Sequence, residues 1–294
     1  MESWLLFALA YPLLYAFVNV LDKFLLANRI KNYYSYAVIT GGIWLTAAII
    51  ILLIVGFPQM TTKVLFFAIL SGILYGLMAW VYYHMITHAE VSRVVGMAYL
   101  SVAVTAIFSY IFLKETLPMF KYVAILLAII GTIILGIEKT PKKIRFNHVF
   151  KLLLLYVFIM GIIGVMEKYI LNYITSWELF ALLNIVTGIV LLLPVFRKQI
   201  REDLPNTAKN IIPIIIIQII SITAYAAYLK AASLQKISII FSIGTLQPVY
   251  VFVVMLLLSI FTPHLLKEII TPKAIIQKII GIGLVVSGVV VLSL

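Results

Sequence analysis

Two acid–base doublets interrupt a chain that is otherwise apolar: Asp22-Lys23 and Glu167-Lys168, each near the end of a hydrophobic run and 145 residues apart. A carboxyl group inside such a run is expensive to bury, so it signals a substrate or ion path, a proton carrier, or the partner of a nearby cation. Neighbouring residues lie about 100° apart around a helix, so neither doublet simply pairs with itself. The alternative is a doublet at the membrane interface whose lysine reaches out to headgroups. Four-residue spacing extends the first doublet into a stripe, with Tyr11, Tyr15, Asn19 and Lys23 on one helix face. Two later runs carry matched stripes. Gly72, Tyr75, Ala79 and Tyr82 in one correspond to Gln218, Ser221, Tyr225 and Tyr228 in the other, 146 residues on. A face of this kind suits a binding cavity, because tyrosine combines a ring that attracts cations with a hydroxyl that hydrogen-bonds. Tyr82, Tyr83 and Tyr228, near run ends, also fit an interfacial aromatic belt, whereas Tyr75 and Tyr225 lie deeper.

The candidate substrate-binding residues are therefore Tyr15, Asn19, Tyr75, Ala79, Tyr82, Tyr99, Gln218, Ser221, Tyr225, Tyr228 and Gln247. Gln247 needs hydrogen-bond partners in hydrocarbon, and the adjacent Pro248 frees the Gly244 carbonyl, which predicts a kink there. The candidates for coupling or gating are Asp22, Lys23, His84, Glu90, Glu167, Lys168 and Lys230. His84 and Lys230 are equivalent by the repeat but lie off the tyrosine stripes, and Lys230 could bind an anion or pair with Glu90 or Glu167. No metal-ligand set, phosphate loop or nucleophile motif is present, and the glycines at Gly281, Gly283 and Gly288 follow no strand, which argues against a dinucleotide site. An enzyme is not expected. A membrane-embedded enzyme using His84, His88 and Glu90 is the weaker idea.

The elements that must position these residues follow from composition. Of 294 residues 64% are hydrophobic and 11% charged, with a mean hydropathy of +1.18, which excludes a water-soluble globule. The runs are continuously apolar rather than alternating, so they read as helices and not as barrel strands. Ten spans are expected: Trp4 to Ala27, Tyr36 to Gly56, Val64 to Thr87, Val91 to Leu113, Phe120 to Ile137, Val149 to Leu171, Leu179 to Phe196, Ile211 to Leu234, Ile237 to Phe261 and Ala274 to Leu294. The most polar connector near mid-chain divides them five and five, giving a first repeat at 1–138, a basic loop at 139–148 and a second repeat at 149–294. A six-residue insertion before the last span aligns Lys121 with Lys273, and Gly131 and Gly136 with Gly283 and Gly288. Five is odd, so the second copy enters the membrane from the opposite side. The expected fold is an all-α integral membrane protein of ten transmembrane helices in two inverted five-helix repeats, a recurring frame for alternating access. A duplicated scaffold without transport would share the repeat but leave the polar stripes unexplained.

Ten spans in two halves, Ala89-Glu90-Val91-Ser92-Arg93 between the third and fourth, Phe112-Leu113-Lys114-Glu115-Thr116-Leu117 before the fifth, and Gly131-Thr132-Ile133-Ile134-Leu135-Gly136 within it resemble the EamA-like branch of the drug/metabolite transporter superfamily. Val102 stands where that family often has a proline in span 4, and the Glu expected before span 10 has no clear counterpart. The resemblance implies a secondary transporter for a small polar metabolite, such as an amino acid-like solute. Its partners would be that substrate, membrane lipids and a coupling proton or ion, with no nucleic acid and no cofactor. The runner-up is a non-transporting scaffold or lipid-handling partner subunit. The net charge of +12 is concentrated in loops, fifteen basic residues on one face against four on the other. The positive-inside rule then puts both termini outside the cytoplasm, whereas the resemblance implies both inside. No cleavable signal peptide is read at the start, and a cell (inner or plasma) membrane is the expected location.

Overall fold

The computed structural model of the chain describes residues 3–89, 91–136, 148–261 and 272–293. Among these residues all regular structure is helical: α1 (Ser3–Asn28), α2 (Tyr33–Val55), α3 (Thr62–His88), α4 (Val91–Ala98), α5 (Ser101–Leu113), α6 (Met119–Gly136), α7 (His148–Ile170), α8 (Ser176–Leu192), a 3-10 turn (Leu193–Phe196), α9 (Lys198–Ala208), α10 (Ile211–Leu234), α11 (Ile237–Gly244), α12 (Leu246–Phe261) and α13 (Pro272–Ser293). Eight stretches are long and apolar enough to cross a membrane, counting α4 with α5 and α11 with α12 as single stretches. The fifth and tenth expected spans, α6 and α13, are shorter apolar helices over Met119–Ile134 and Ile276–Leu292. The expected loop at 139–148 lies outside the described residues, except that His148 already opens α7.

Local chemistry sets the boundaries. The Asn32 side chain accepts from the Tyr34 amide at the start of α2, and Thr61 accepts from the Val64 amide at the start of α3. Thr175 and Glu178 form a reciprocal capping box on α8, with the Thr175 amide 2.7 Å from Glu178 Oε2. Lys114, at φ 53°, closes α5 in the left-handed region. The connector before α10 is more ordered than expected, because Lys198–Ala208 forms the polar helix α9 instead of a loop.

The two halves do not form separate bodies. The largest helix contacts, α6 with α13, α2 with α8, α1 with α10, α3 with α8 and α3 with α7, all join an element of the first half to one of the second. Between α6 and α13 the backbones nearly touch. A Cβ on Gly131 would come within 2.6 Å of the Gly281 carbonyl, and one on Gly288 within 2.6 Å of the Ala124 carbonyl. Ala124 to Gly131 and Gly281 to Gly288 are the same seven-residue step, so each helix offers the other one glycine at the same spacing. Gly283, expected to be the counterpart of Gly131, has open space around it.

Candidate functional site

Where the halves interleave, the bundle encloses a cavity of about 210 Å³. All eleven residues singled out as substrate-binding candidates line it: Tyr15 and Asn19 from α1, Tyr75, Ala79 and Tyr82 from α3, Tyr99 from the junction of α4 and α5, Gln218, Ser221, Tyr225 and Tyr228 from α10, and Gln247 from α12. The helical period explains why they converge. Stripes at three- and four-residue spacing are the faces that α1, α3 and α10 turn away from lipid. Tyr82 and Tyr228, which also fitted an aromatic belt, face inward, and Tyr83 lines the cavity beside Tyr82.

Two carboxyl groups reach this cavity, Asp22 and Glu167, each 2% exposed. Glu167 accepts from two phenols of α10, Tyr225 at 2.6 Å and Tyr228 at 2.7 Å. The two rings stack with centroids 5.8 Å apart, so one rigid surface presents both donors. Asp22 accepts from the hydroxyl of Tyr36 on α2. That hydroxyl in turn accepts from Gln218 Nε2 at 3.1 Å, and Gln218 Oε1 accepts from the indole N–H of Trp44 at 2.8 Å. Trp44 packs on the ring of Tyr225 at 5.9 Å, so a chain of contacts runs from one acid to the other. Asn19 Oδ1 accepts from the Tyr82 hydroxyl at 2.6 Å, while its Nδ2, buried in the cavity wall, has no protein partner. An orphan polar atom in hydrocarbon is a place for a ligand or water to bond.

Both of the helices that cross beside the cavity are interrupted. The expected kink at Pro248 is a break at Thr245 between α11 and α12. A second break, at Tyr99-Leu100 between α4 and α5, has no proline to announce it. The two are joined, because the Tyr99 hydroxyl donates to Gln247 Oε1. Tyr11 donates to the Ile240 carbonyl of α11 at 2.8 Å. A Cβ on Gly244 would run into the Tyr11 hydroxyl and the Tyr99 ring, so the approach of all three elements depends on glycine there.

The remaining coupling and gating candidates lie elsewhere. Lys23 extends to the end of α3, donating to the carbonyls of Ile86 at 2.6 Å and Ala89 at 3.0 Å. Lys168 does the same at the end of α10, to Ala232 at 2.7 Å and Gln235 at 2.8 Å. Their ammonium groups meet the negative end of a neighbouring helix and satisfy carbonyls that helix leaves open. This corrects the expectation that they contribute charge to the cavity or reach headgroups. Lys230 is exposed in a surface depression shared with Glu178 and Trp177, apart from the cavity that Glu167 lines. The ring of His84 lies against Tyr33 and His88. Glu90 is outside the described residues. Among the described residues no group of three or more His, Asp or Glu comes together as metal ligands.

The residues missed are on α2. Tyr36, Thr40 and Trp44 repeat at four-residue spacing, the same signal that singled out the α1 stripe. Thr40 and Trp44 line the cavity, and Tyr36 holds Asp22. Tyr156 of α7 also lines it, with no stripe to mark it beforehand.

Residues 2–137 match the model of the EamA-like transporter family. No curated protein matches the sequence. Among solved structures, one crystal structure of a protein described no further is 17% identical, covering 98% of this chain and 95% of its own, with a TM-score of 0.67. At that identity the likeness concerns the fold. Over residues 2–137 the chain is thus similar to the EamA-like transporter family, and over nearly its full length it shares a helical fold with a solved structure.

Proposed function

We propose that this protein is a secondary transporter that moves a small polar metabolite through the central cavity by alternating access, its two five-helix halves being inverted copies. The observation that carries the reading is that both halves supply polar and aromatic walls to one cavity, while the outward helix faces are largely apolar. The breaks in the fourth and ninth spans support it, since interrupted helices at membrane depth are tolerated where they line a cavity. Asp22 and Glu167 are the proposed carriers of a coupling proton, and the cell membrane is the proposed location. The loop charges favour both termini outside the cytoplasm, which a cytoplasmically active reporter fused after Leu294 would refute.

The test is uptake of a labelled metabolite panel into proteoliposomes. At least one solute is expected to enter faster than into protein-free vesicles, and Tyr75→Ala or Tyr225→Ala should abolish that uptake. Uptake no faster than in empty vesicles for the whole panel would sink the transporter reading in favour of a scaffold or lipid-handling subunit.

A further inference from the structure

We propose that the cavity is built for a linear organic dication, an alkyl chain with an ammonium group at each end, anchored between Asp22 and Glu167. This rests on the transporter reading of the same cavity and narrows its substrate. Apart from tyrosines, the ionisable side chains among the described lining residues are these two acids, and no lysine, arginine or histidine is among them. The basic neighbours in sequence, Lys23 and Lys168, send their ammonium groups to the carbonyl ends of α3 and α10. A carboxylate- or phosphate-bearing solute would therefore meet two acids and no cation in a low-dielectric site. A dication would neutralise both acids as carboxylates, whereas a monocation would leave the second to be neutralised by a proton.

The spacing favours an extended molecule. On α10, Gln218 is tied through Tyr36 to Asp22, and Tyr225 is bonded to Glu167. These positions are seven residues apart, about 10 Å along a helix axis. The two acids are thus bonded through different turns of one helix wall, which suits a solute with a charge at each end better than one compact cation. Between the two ends the wall is aromatic: Tyr75 packs on Tyr225 at 5.6 Å and Trp44 on Tyr225 at 5.9 Å. Ring faces of this kind accommodate methylene groups and attract the ammonium charge as it passes.

The experiment is calorimetric titration of the full chain in nanodiscs with cadaverine, hexamethylenediamine and spermidine, compared with pentylamine and glutarate. At least one diamine or polyamine should bind about tenfold or more tighter than pentylamine, with no binding of glutarate. Glu167→Gln and Asp22→Asn should each bring the diamine down to the affinity of pentylamine. Pentylamine binding retained by the variants shows that they are folded; if it is lost, the wild-type series alone decides. Equal affinity for pentylamine and every diamine, no diamine binding, or tighter binding of glutarate would overturn the proposal. So would folded variants with undiminished diamine affinity. The two readings fail separately. Transport of another solute without diamine binding leaves the transporter standing, and diamine binding without transport of any solute leaves the site standing.

Discussion

Asp22 and Glu167 occupy corresponding places in the two halves, 145 residues apart, and the lysine that follows each one caps a neighbouring helix in the same way. Their hydrogen-bond donors have different origins. Glu167 is served by Tyr225 and Tyr228, both on α10. The corresponding positions on α3 are Ala79, which has no hydroxyl, and Tyr82, which donates to Asn19. Asp22 is served from another helix, α2, by Tyr36. The two lysine caps are alike while the hydrogen-bonding around the two acids differs. A site between two such copies can therefore have unlike ends even though its walls repeat.

That contrast can be broken most severely at the frame. Gly131→Leu would drive a side chain into the Gly281 carbonyl, and Gly288→Leu would do the same at Ala124. Each should cost about 3 kcal/mol or more of stability, equally for the two, as read from unfolding midpoints in detergent. A mild effect of one and a severe effect of the other would show that the glycine pair is not equivalent. The caps come next. Lys23→Met and Lys168→Met should each lose about 1–2 kcal/mol, again to the same extent, because each removes two charge-assisted bonds to a helix end. The smallest effects should be the unequal ones. Tyr36→Phe takes away the phenol that serves Asp22 and should cost about 1 kcal/mol, whereas Tyr228→Phe leaves Glu167 with Tyr225 and should cost about half as much. Equal losses from these two would contradict the difference drawn between the ends.

Much of the site was legible because helical spacing is a strong signal in a chain with so few polar residues. Tyr75 and Tyr225, or Asn19 beside Asp22, can point inward together only if their helices face one cavity. The stripe at Tyr36, Thr40 and Trp44 is equally regular and carries the same signal. The destinations of Lys23 and Lys168 were not legible. A lysine one position from a buried acid has two candidate partners, and only the placement of α3 and α10 reveals that helix carbonyls win. The break at Tyr99-Leu100 was hidden for a related reason, since no proline or glycine marks it and the turn is held by packing against α11 and α12. In the fold, the continuous apolar runs located the helices well. The polar segment Lys198–Ala208 carries no membrane signal, and its helix α9 emerges from local propensity and an i,i+4 pair between Lys198 and Glu202 at 3.8 Å.

The two capping lysines also say which parts of the bundle travel together. Lys23 pins α1 to the terminus of α3, and Lys168 pins α7 to the terminus of α10, each by two bonds to main-chain oxygens at a helix end. Prising either couple apart would cost both charge-assisted bonds at that helix end. Any rearrangement that exposes the interior should therefore carry each couple as a single lever, and the fulcrums belong at Tyr99-Leu100 and Thr245, where the main chain is already bent.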